Sequence, residues 1–306
     1  MHRGVGSGVA AYVLWGLLAL YWPLLEPAEP LEVLAHRFVW ALLVVVALLA
    51  WWRRWSWIGE LAAHPRKLGL LALAGVAISV NWGAFIWGVS SHHVVEASLG
   101  YFINPLVSVL FGVLVFRERL RRVQWAAVAI AGVAVLVLAV GYGQPPWLSF
   151  ALALSFGTYG LLKKSANMGA TASMAVETAV VVPAALGYLI YLEATGTGTF
   201  GHLTLGHSAL LVSTGLATAV PLLFFGTAAV RIPLSMVGLL QYITPTLHFL
   251  IGVFVMGEPM PPVRLAGFAL VWVALTVFST DALRHTRRAA REEMRQPPQP
   301  DSATRS

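Results

Sequence analysis

Residues 99–118 read LGYFINPLVSVLFGVLVFRE, and 140 positions further on residues 239–258 read LLQYITPTLHFLIGVFVMGE. Eight of the twenty aligned positions are identical. Matched Leu or Val carries little weight in so apolar a chain, but Pro105 with Pro245, Gly112 with Gly252 and Glu118 with Glu258 are harder to match by chance. The chain therefore reads as two copies of one unit. Each copy places polar side chains at i, i+3 and i+7: Tyr101, Asn104 and Ser108 in one, Gln241, Thr244 and His248 in the other. That spacing is one helix face. Both segments are otherwise long and apolar enough to cross a bilayer, where a polar stripe must turn to protein or water and away from lipid. Two such faces suffice to enclose a cavity. Each stripe also carries a proline directly after its second polar residue, which permits a kink near mid-membrane or merely shapes helix packing.

With 306 residues, 58% hydrophobic and 11% charged, and a mean hydropathy of +0.76, the chain has too little polar surface for a water-soluble globule of this size. It reads as an all-α polytopic membrane protein. The net charge of +7 does not point to nucleic acid, because no basic stripe with spaced aromatics lies outside the apolar runs. Cysteine is absent, which excludes disulfides and thiolate metal sites. At the start, Arg3 precedes an apolar run with Trp15, Tyr21 and Trp22 that reaches Pro23 without a small-residue cleavage site. That run reads as a retained first helix.

Apolar runs between charge clusters give ten transmembrane spans, at about 8–25, 33–52, 68–90, 95–116, 123–141, 147–163, 172–193, 208–230, 234–256 and 264–282. With a cytoplasmic N-terminus, 18 of the 20 Lys and Arg residues fall inside, all but Arg37 and Arg264, while the first outside loop carries Glu26, Glu29 and Glu32. The positive-inside rule then puts both termini in the cytoplasm. Ten spans that repeat after the fifth form an inverted 5+5 repeat, since an odd number of crossings turns the second copy over. A second register at an offset of 141 aligns Gly16 with Gly157, and His36 and Arg37 with Glu177 and Thr178. The units are 1–143, a five-helix repeat; 144–283, its second copy; and 284–306, a basic cytoplasmic tail expected to be largely disordered. The outside loop at 194–207, rich in Gly and Thr, reads as a flexible cover. Trp51, Trp52, Trp55 and Trp57 read as an interfacial belt.

Ionisable groups within the hydrocarbon require partners or a wet cavity. His36 and Arg37 enter the second span, and Glu177 the seventh. Two placements are open for each: Arg37 snorkels to headgroups or faces inward, and Glu177 caps a helix turn or takes a partner. His92, His93 and Glu96 form HHVVE at the mouth of the fourth span, a spacing that suits a polar cluster better than a metal site, for which a third ligand is missing. Asn81 and Trp82 in the third span and Thr158 and Tyr159 in the sixth add polar and aromatic groups at mid-span, as a metabolite-sized pocket requires. Glu118 and Glu258 read as helix-end or loop-anchoring groups. No GxSxG, HExxH, Walker A or GxGxxG motif is present in usable context, and the sequence offers no catalytic constellation.

The segment HHVVEASLGYFINPLVSVLFGVLVFRERL, the pair His36–Arg37, the pair Asn81–Trp82, VET at 176–178, VPLL at 220–223 and QYITPT at 241–246 together resemble the RarD type of EamA transporter, in the drug/metabolite transporter superfamily. The resemblance covers nearly the whole chain to about Arg284. It implies ten helices in two EamA repeats, alternating access around a central cavity and export of small molecules, with chloramphenicol sensitivity as the family label. EamA repeats usually show Gly-Glu after the fourth helix of each copy; here the second has Gly257 and Glu258, but the first has Arg117 and Glu118.

The expectation is a secondary transporter of the bacterial cytoplasmic membrane, not an enzyme, with a small-molecule substrate, the bilayer as its surroundings, and no cofactor or nucleic acid. Tyr101, Asn104, Gln241, Tyr242 and Thr244 are expected to line the cavity with Asn81, and Trp82 and Tyr159 to form aromatic walls. His36, Arg37, His93, Glu96 and Glu177 are the candidates for gating, or for coupling if a proton is the coupling ion. Monomer and homodimer are both open. The rival readings are an intramembrane metal-dependent enzyme built on His92, His93 and Glu96, and a scaffold whose polar stripes pack closed without a cavity.

Overall fold

The structure, a computed structural model, describes residues 2–53, 55–90, 94–142 and 147–255, with scattered positions between 262 and 281. The regular elements among them are helices: α1 (His2–Leu17), α2 (Pro30–Trp51), α3 (Ser56–Ala63), α4 (Pro65–Ser90), α5 (Val94–Leu114), α6 (Arg122–Tyr142), α7 (Trp147–Ala166), α8 (Ala170–Thr195), α9 (Leu205–Arg231), α10 (Leu234–Leu240) and α11 (Ile243–Phe254). The described residues after 261 are helical as well. Five helices, α1 with the turn after it, α2, α4, α8 and α9, are long and apolar enough to cross a membrane by length and composition alone. Leu43, Leu73, Leu136, Ile190 and Leu216 point outward from mid-helix, a surface that lipid accepts and water does not.

The helices depart from the expected spans in three places. The first span is not one helix to residue 25. α1 stops at Leu17 and the chain continues through two single 3-10 turns, Leu18–Leu20 and Trp22–Leu25. Pro23 has no N–H to extend the α-helical ladder but fits the first positions of a tighter turn. The ninth span is broken at Gln241–Tyr242 into α10 and α11. Pro245 cannot donate to the Gln241 carbonyl, which accepts instead from the Thr244 N–H at 3.2 Å. Its counterpart Pro105 lies inside an unbroken α5. Thirdly, the connection between α2 and α4 contains α3, which turns Trp57 inward against the core while Trp51, Trp52 and Trp55 stay exposed. Lys67 bonds Glu60 of α3 at 2.6 Å and so holds that carboxyl below its ordinary value.

Inversion of the two copies is visible in which residues meet. Along α5, Phe102, Ser108 and Gly112 approach Tyr242, Gln241 and Ser235 in turn, so α5 and the α10–α11 pair run antiparallel. The Tyr101 ring lies edge-on to His248 with centroids 6.1 Å apart, and Gln241 Nε2 donates to Ser108 Oγ at 3.1 Å. These are one contact made twice, with the copies exchanged. The same exchange relates helix crossings. Gly157 of α7 receives Val107, where a methyl group would come within 2.5 Å of Cγ1, and Gly16 of α1 receives Leu247, where it would come within 2.6 Å. Thr244 Oγ1 donates to the Tyr12 carbonyl at 2.8 Å. Asn104, with its amide nitrogen turned to the two carbonyls it faces, donates to Ala153 at 3.0 Å and Leu152 at 3.2 Å.

Two glycines 140 residues apart mark the tightest crossings. A methyl at Gly75 of α4 would stand 2.6 Å from the Glu177 carbonyl oxygen of α8, and one at Gly215 of α9 2.7 Å from the Trp40 carbonyl oxygen of α2. Close backbone approach through small residues is how helices associate where no water drives them together. Gly75→Ala and Gly215→Ala are each expected to lower unfolding stability in detergent by about 1–3 kcal/mol. Gly187→Ala, where nothing lies within 4 Å of the added carbon, is expected to leave it unchanged or slightly raised. Equal melting temperatures for all three variants would contradict these crossings. The main core sits where α1, α7 and α9 meet, around Tyr12, Tyr159, Leu222 and Phe225.

Candidate functional site

A cavity of about 600 Å³ opens between the two copies, within the size range of small-molecule sites. Its wall takes Tyr12 and Trp15 from α1, Trp22 and Glu26 from the connection to α2, Arg37 from α2, Asn81, Trp82 and Phe85 from α4, Tyr101 and Asn104 from α5, and Phe156 from α7. Gln241 at the helix break, with Thr244 and His248 of α11, completes it. Each of these lies near the middle of its helix or toward the α1–α2 connection. The wall is mostly apolar and aromatic, with Trp15 edge-on to Phe156 at 6.0 Å and Phe85 edge-on to Tyr101 at 5.8 Å.

Several polar groups on the wall spend their donors on neighbouring backbone. Asn81 Nδ2 donates to the Leu152 carbonyl at 2.8 Å and to Ser155 Oγ at 3.0 Å, and Asn104 and Thr244 do likewise toward α7 and α1. These bonds fix the wall. Tyr12 Oη and Gln241 Oε1, by contrast, are buried and make no hydrogen bond of good geometry among the described residues, although the Gln241 side chain stands beside the Tyr12 hydroxyl. Arg37 does not snorkel outward. Its guanidinium carbon lies 3.8 Å from the ring centroid of Trp82 and 4.8 Å from that of Trp22, and its Nε donates to Thr218 Oγ1 of α9 at 3.0 Å.

Among the residues singled out from sequence, Asn81, Trp82, Tyr101, Asn104, Gln241 and Thr244 thus border one cavity, joined by Arg37 from the gating candidates. Tyr159 and Tyr242 do not reach it. Both are fully buried, Tyr242 donating to the Phe102 carbonyl at 3.3 Å and Tyr159 stacked on Phe225 with centroids 5.4 Å apart. His36 faces a separate space of about 170 Å³ beside Glu32, accepts from Trp40 Nε1 at 3.1 Å and packs on Phe200. Glu32 accepts from Thr199 N at 2.7 Å and Thr199 Oγ1 at 3.0 Å, which straps the 194–207 loop, expected as a flexible cover, onto α2. Glu96 belongs to α5 but its side chain lies outside the described residues, as do His92, His93 and Glu258.

Glu177 is not a helix cap. It forms a buried ion pair with Lys163, whose Nζ stands 2.7 Å from Oε1 and 2.9 Å from Oε2, and it accepts from Tyr159 at 3.0 Å and from Ser173 at 2.6 Å. Lys163, by sequence one of the 18 charges expected on the cytoplasmic side, is instead turned into the protein, 1% exposed. Its place near the end of α7, with Glu177 in the second turn of α8 beyond a short connection, is the hairpin pairing that would have revealed the contact.

Away from the cavity, the opposite side of the bundle is tied shut by Glu118. Its carboxylate accepts from Leu234 N at 2.7 Å, Ser235 N at 3.0 Å and Ser235 Oγ at 2.7 Å, so the α5–α6 connection of one copy holds the start of α10 in the other. Lys164 adds a contact 3.7 Å from Glu118 and donates to the Ile232 carbonyl at 2.7 Å. The repeated Gly112 now has a reason: a methyl there would meet the Glu118 carboxylate at 2.6 Å. Arg117 takes φ +54°, the left-handed conformation that glycine adopts freely at this place in the Gly-Glu pattern.

Comparison with known proteins matches residues 2–140 to the EamA-like transporter family. The chain is 58% identical over 288 residues to the Protein RarD of Streptomyces exfoliatus, covering 94% of this chain and 91% of that protein. It is 41% identical over 291 residues to an uncharacterized transporter of Vibrio cholerae, covering 94% and 96%. A solved crystal structure superposes with a TM-score of 0.70 at 18% identity, covering 93% of this chain and 99% of that one, a likeness of fold alone. With its apolar helices and inverted repeat, the chain is a multi-pass membrane transporter of the drug/metabolite transporter superfamily and belongs to the RarD type of the EamA-like transporter family.

Proposed function

We propose that the chain exports a small molecule across the bacterial cytoplasmic membrane by alternating access, with both termini cytoplasmic and the cavity between the repeats as its substrate site in an outward-open form. The observation that carries this reading is the asymmetry of the bundle: a cavity reaching the middle from the side of the α1–α2 connection, and the Glu118 tie on the other side. The excess of Lys and Arg on the tied side supports reading it as the cytoplasmic side. Rocking the repeats against each other would break the tie and close the α1–α2 side over the substrate.

The absence of cysteine from the chain makes the test direct. Ala19 lines the cavity, and Ala19→Cys is expected to react with a membrane-impermeant maleimide from the outer face of right-side-out vesicles. Ala19→Trp, which fills the same space, is expected to abolish efflux of any compound that the parent protein moves in proteoliposomes. Labelling of Ala19→Cys from the inner face alone, or full flux with the cavity filled, would contradict the assignment.

A further inference from the structure

Among the charged groups of the cavity wall, Arg37 is partly buried yet lacks the counter-charge that charges shielded from water normally have. It makes one hydrogen bond, to Thr218, and no carboxylate among the described residues stands within ion-pair distance. Glu26, also on the wall, belongs to the outer connection and does not pair with it. The two indoles of Trp22 and Trp82 shield the guanidinium faces, and its bidentate edge is left for the cavity.

The inverted repeat supplies the control. At the offset of 141 that aligns Gly16 with Gly157, the second copy places Lys163 and Glu177 where the first has Trp22 and His36. In the second copy cation and anion answer each other within the protein. In the first, Trp22 and His36 stand at those two places, His36 facing the separate space beside Glu32, while Arg37 next to it lines the cavity with Trp22 and meets no anion among the described residues. A guanidinium partly shielded from water without a counter-charge is costly to keep, so its partner is to be sought in what enters.

We propose that Arg37 is the anchor for the anionic group of the substrate, and that the cavity takes organic anions: a carboxylate on Arg37 attached to an apolar or aromatic body lying among Trp15, Phe85 and Phe156. Gln241 Oε1 and Tyr12 Oη, neighbours on the wall without a well-formed hydrogen bond among the described residues, would add hydrogen bonds to polar atoms of that body. The proposal rests on the cavity being the substrate site, and the experiment separates the two claims.

Binding to the purified full chain in neutral detergent can be followed by quenching of cavity tryptophan fluorescence, using three probes of one shape: 3-phenylpropionate, its primary amide and 3-phenylpropylamine. The acid is expected to bind roughly ten- to a hundredfold more tightly than the amide, and the amine most weakly. Arg37→Gln is expected to erase the preference of acid over amide, and Arg37→Lys to keep it in weakened form, which guards against a variant that merely misfolds. Equal affinity for acid and amide, or a preference for acid that survives in Arg37→Gln, overturns the anion assignment and leaves the cavity reading standing. Quenching by none of the three up to their solubility limits, in a protein that gel filtration shows to be folded, overturns both.

Discussion

Glu177→Ala is expected to destabilise the protein by about 3–5 kcal/mol, the largest effect of any single change considered, because it leaves the Lys163 ammonium buried without its counter-charge. The two side chains are 1% and 3% exposed, so solvent neither screens the pair nor replaces the lost partner. Tyr159 and Ser173 would lose their acceptor as well. The expected signature is strong non-additivity: replacing both members, Lys163→Met with Glu177→Leu, should cost less than Glu177→Ala alone. Thermal unfolding of the three variants in one detergent measures this directly. A loss below about 1 kcal/mol for Glu177→Ala would show that the pair is wet or unformed. Glu177→Gln separates cement from coupling. If it keeps flux driven by a pH gradient, Glu177 holds α7 to α8; if it folds normally and loses that flux, Glu177 carries the coupling proton.

The architecture was legible because the residues that betray a duplication are those with geometric work to do. Gly112 makes room for the Glu118 carboxylate, Pro245 breaks the ninth span where its missing N–H predicts, and the polar stripes meet their inverted copies at Tyr101 with His248 and at Ser108 with Gln241. Spacing alone could indicate that these faces turn inward. It could not say which members reach a cavity, because Tyr242 and Gln241 are neighbours in sequence at a helix break, and one is sealed in the core while the other lines the wall.

Other parts of the site depend on contacts that no local pattern encodes. Arg37 meets Thr218, 181 residues away, and its snorkelling alternative was equally compatible with its place near a helix start. Tyr12, Trp15 and Phe156 read as ordinary members of apolar spans, since aromatic residues in such runs serve lipid, core and ligand alike. Trp22 lines the cavity where the α-helical ladder has ended at Leu17 and the chain continues in 3-10 turns, the second of which opens on Trp22 and Pro23. The Lys163–Glu177 pair was hidden differently: a lysine at the end of a span satisfies the charge asymmetry of the loops with or without a buried partner.

Glu118→Ala is expected to loosen the closed side of the bundle by about 2–3 kcal/mol, since three hydrogen bonds to a carboxylate go at once and two of their donors are backbone N–H groups. If the tie exists only in the outward-open form, that loss moves the ratio of outward-open to inward-open molecules by roughly 30- to 150-fold. Val109, buried beside Gly238 at the α5–α10 crossing, is a suitable reporter. Labelling of Val109→Cys by a maleimide from the cytoplasmic face should be slow in the parent background and faster by at least tenfold with Glu118→Ala. Glu118→Gln, which retains a carbonyl acceptor but not the charge, should fall between them. Lys164→Met should have a smaller effect, because it leaves the bonds to Leu234 and Ser235 intact. If instead labelling is unchanged and flux undiminished in Glu118→Ala, the connection it bridges is a fixed part of the scaffold, and the repeats must part elsewhere.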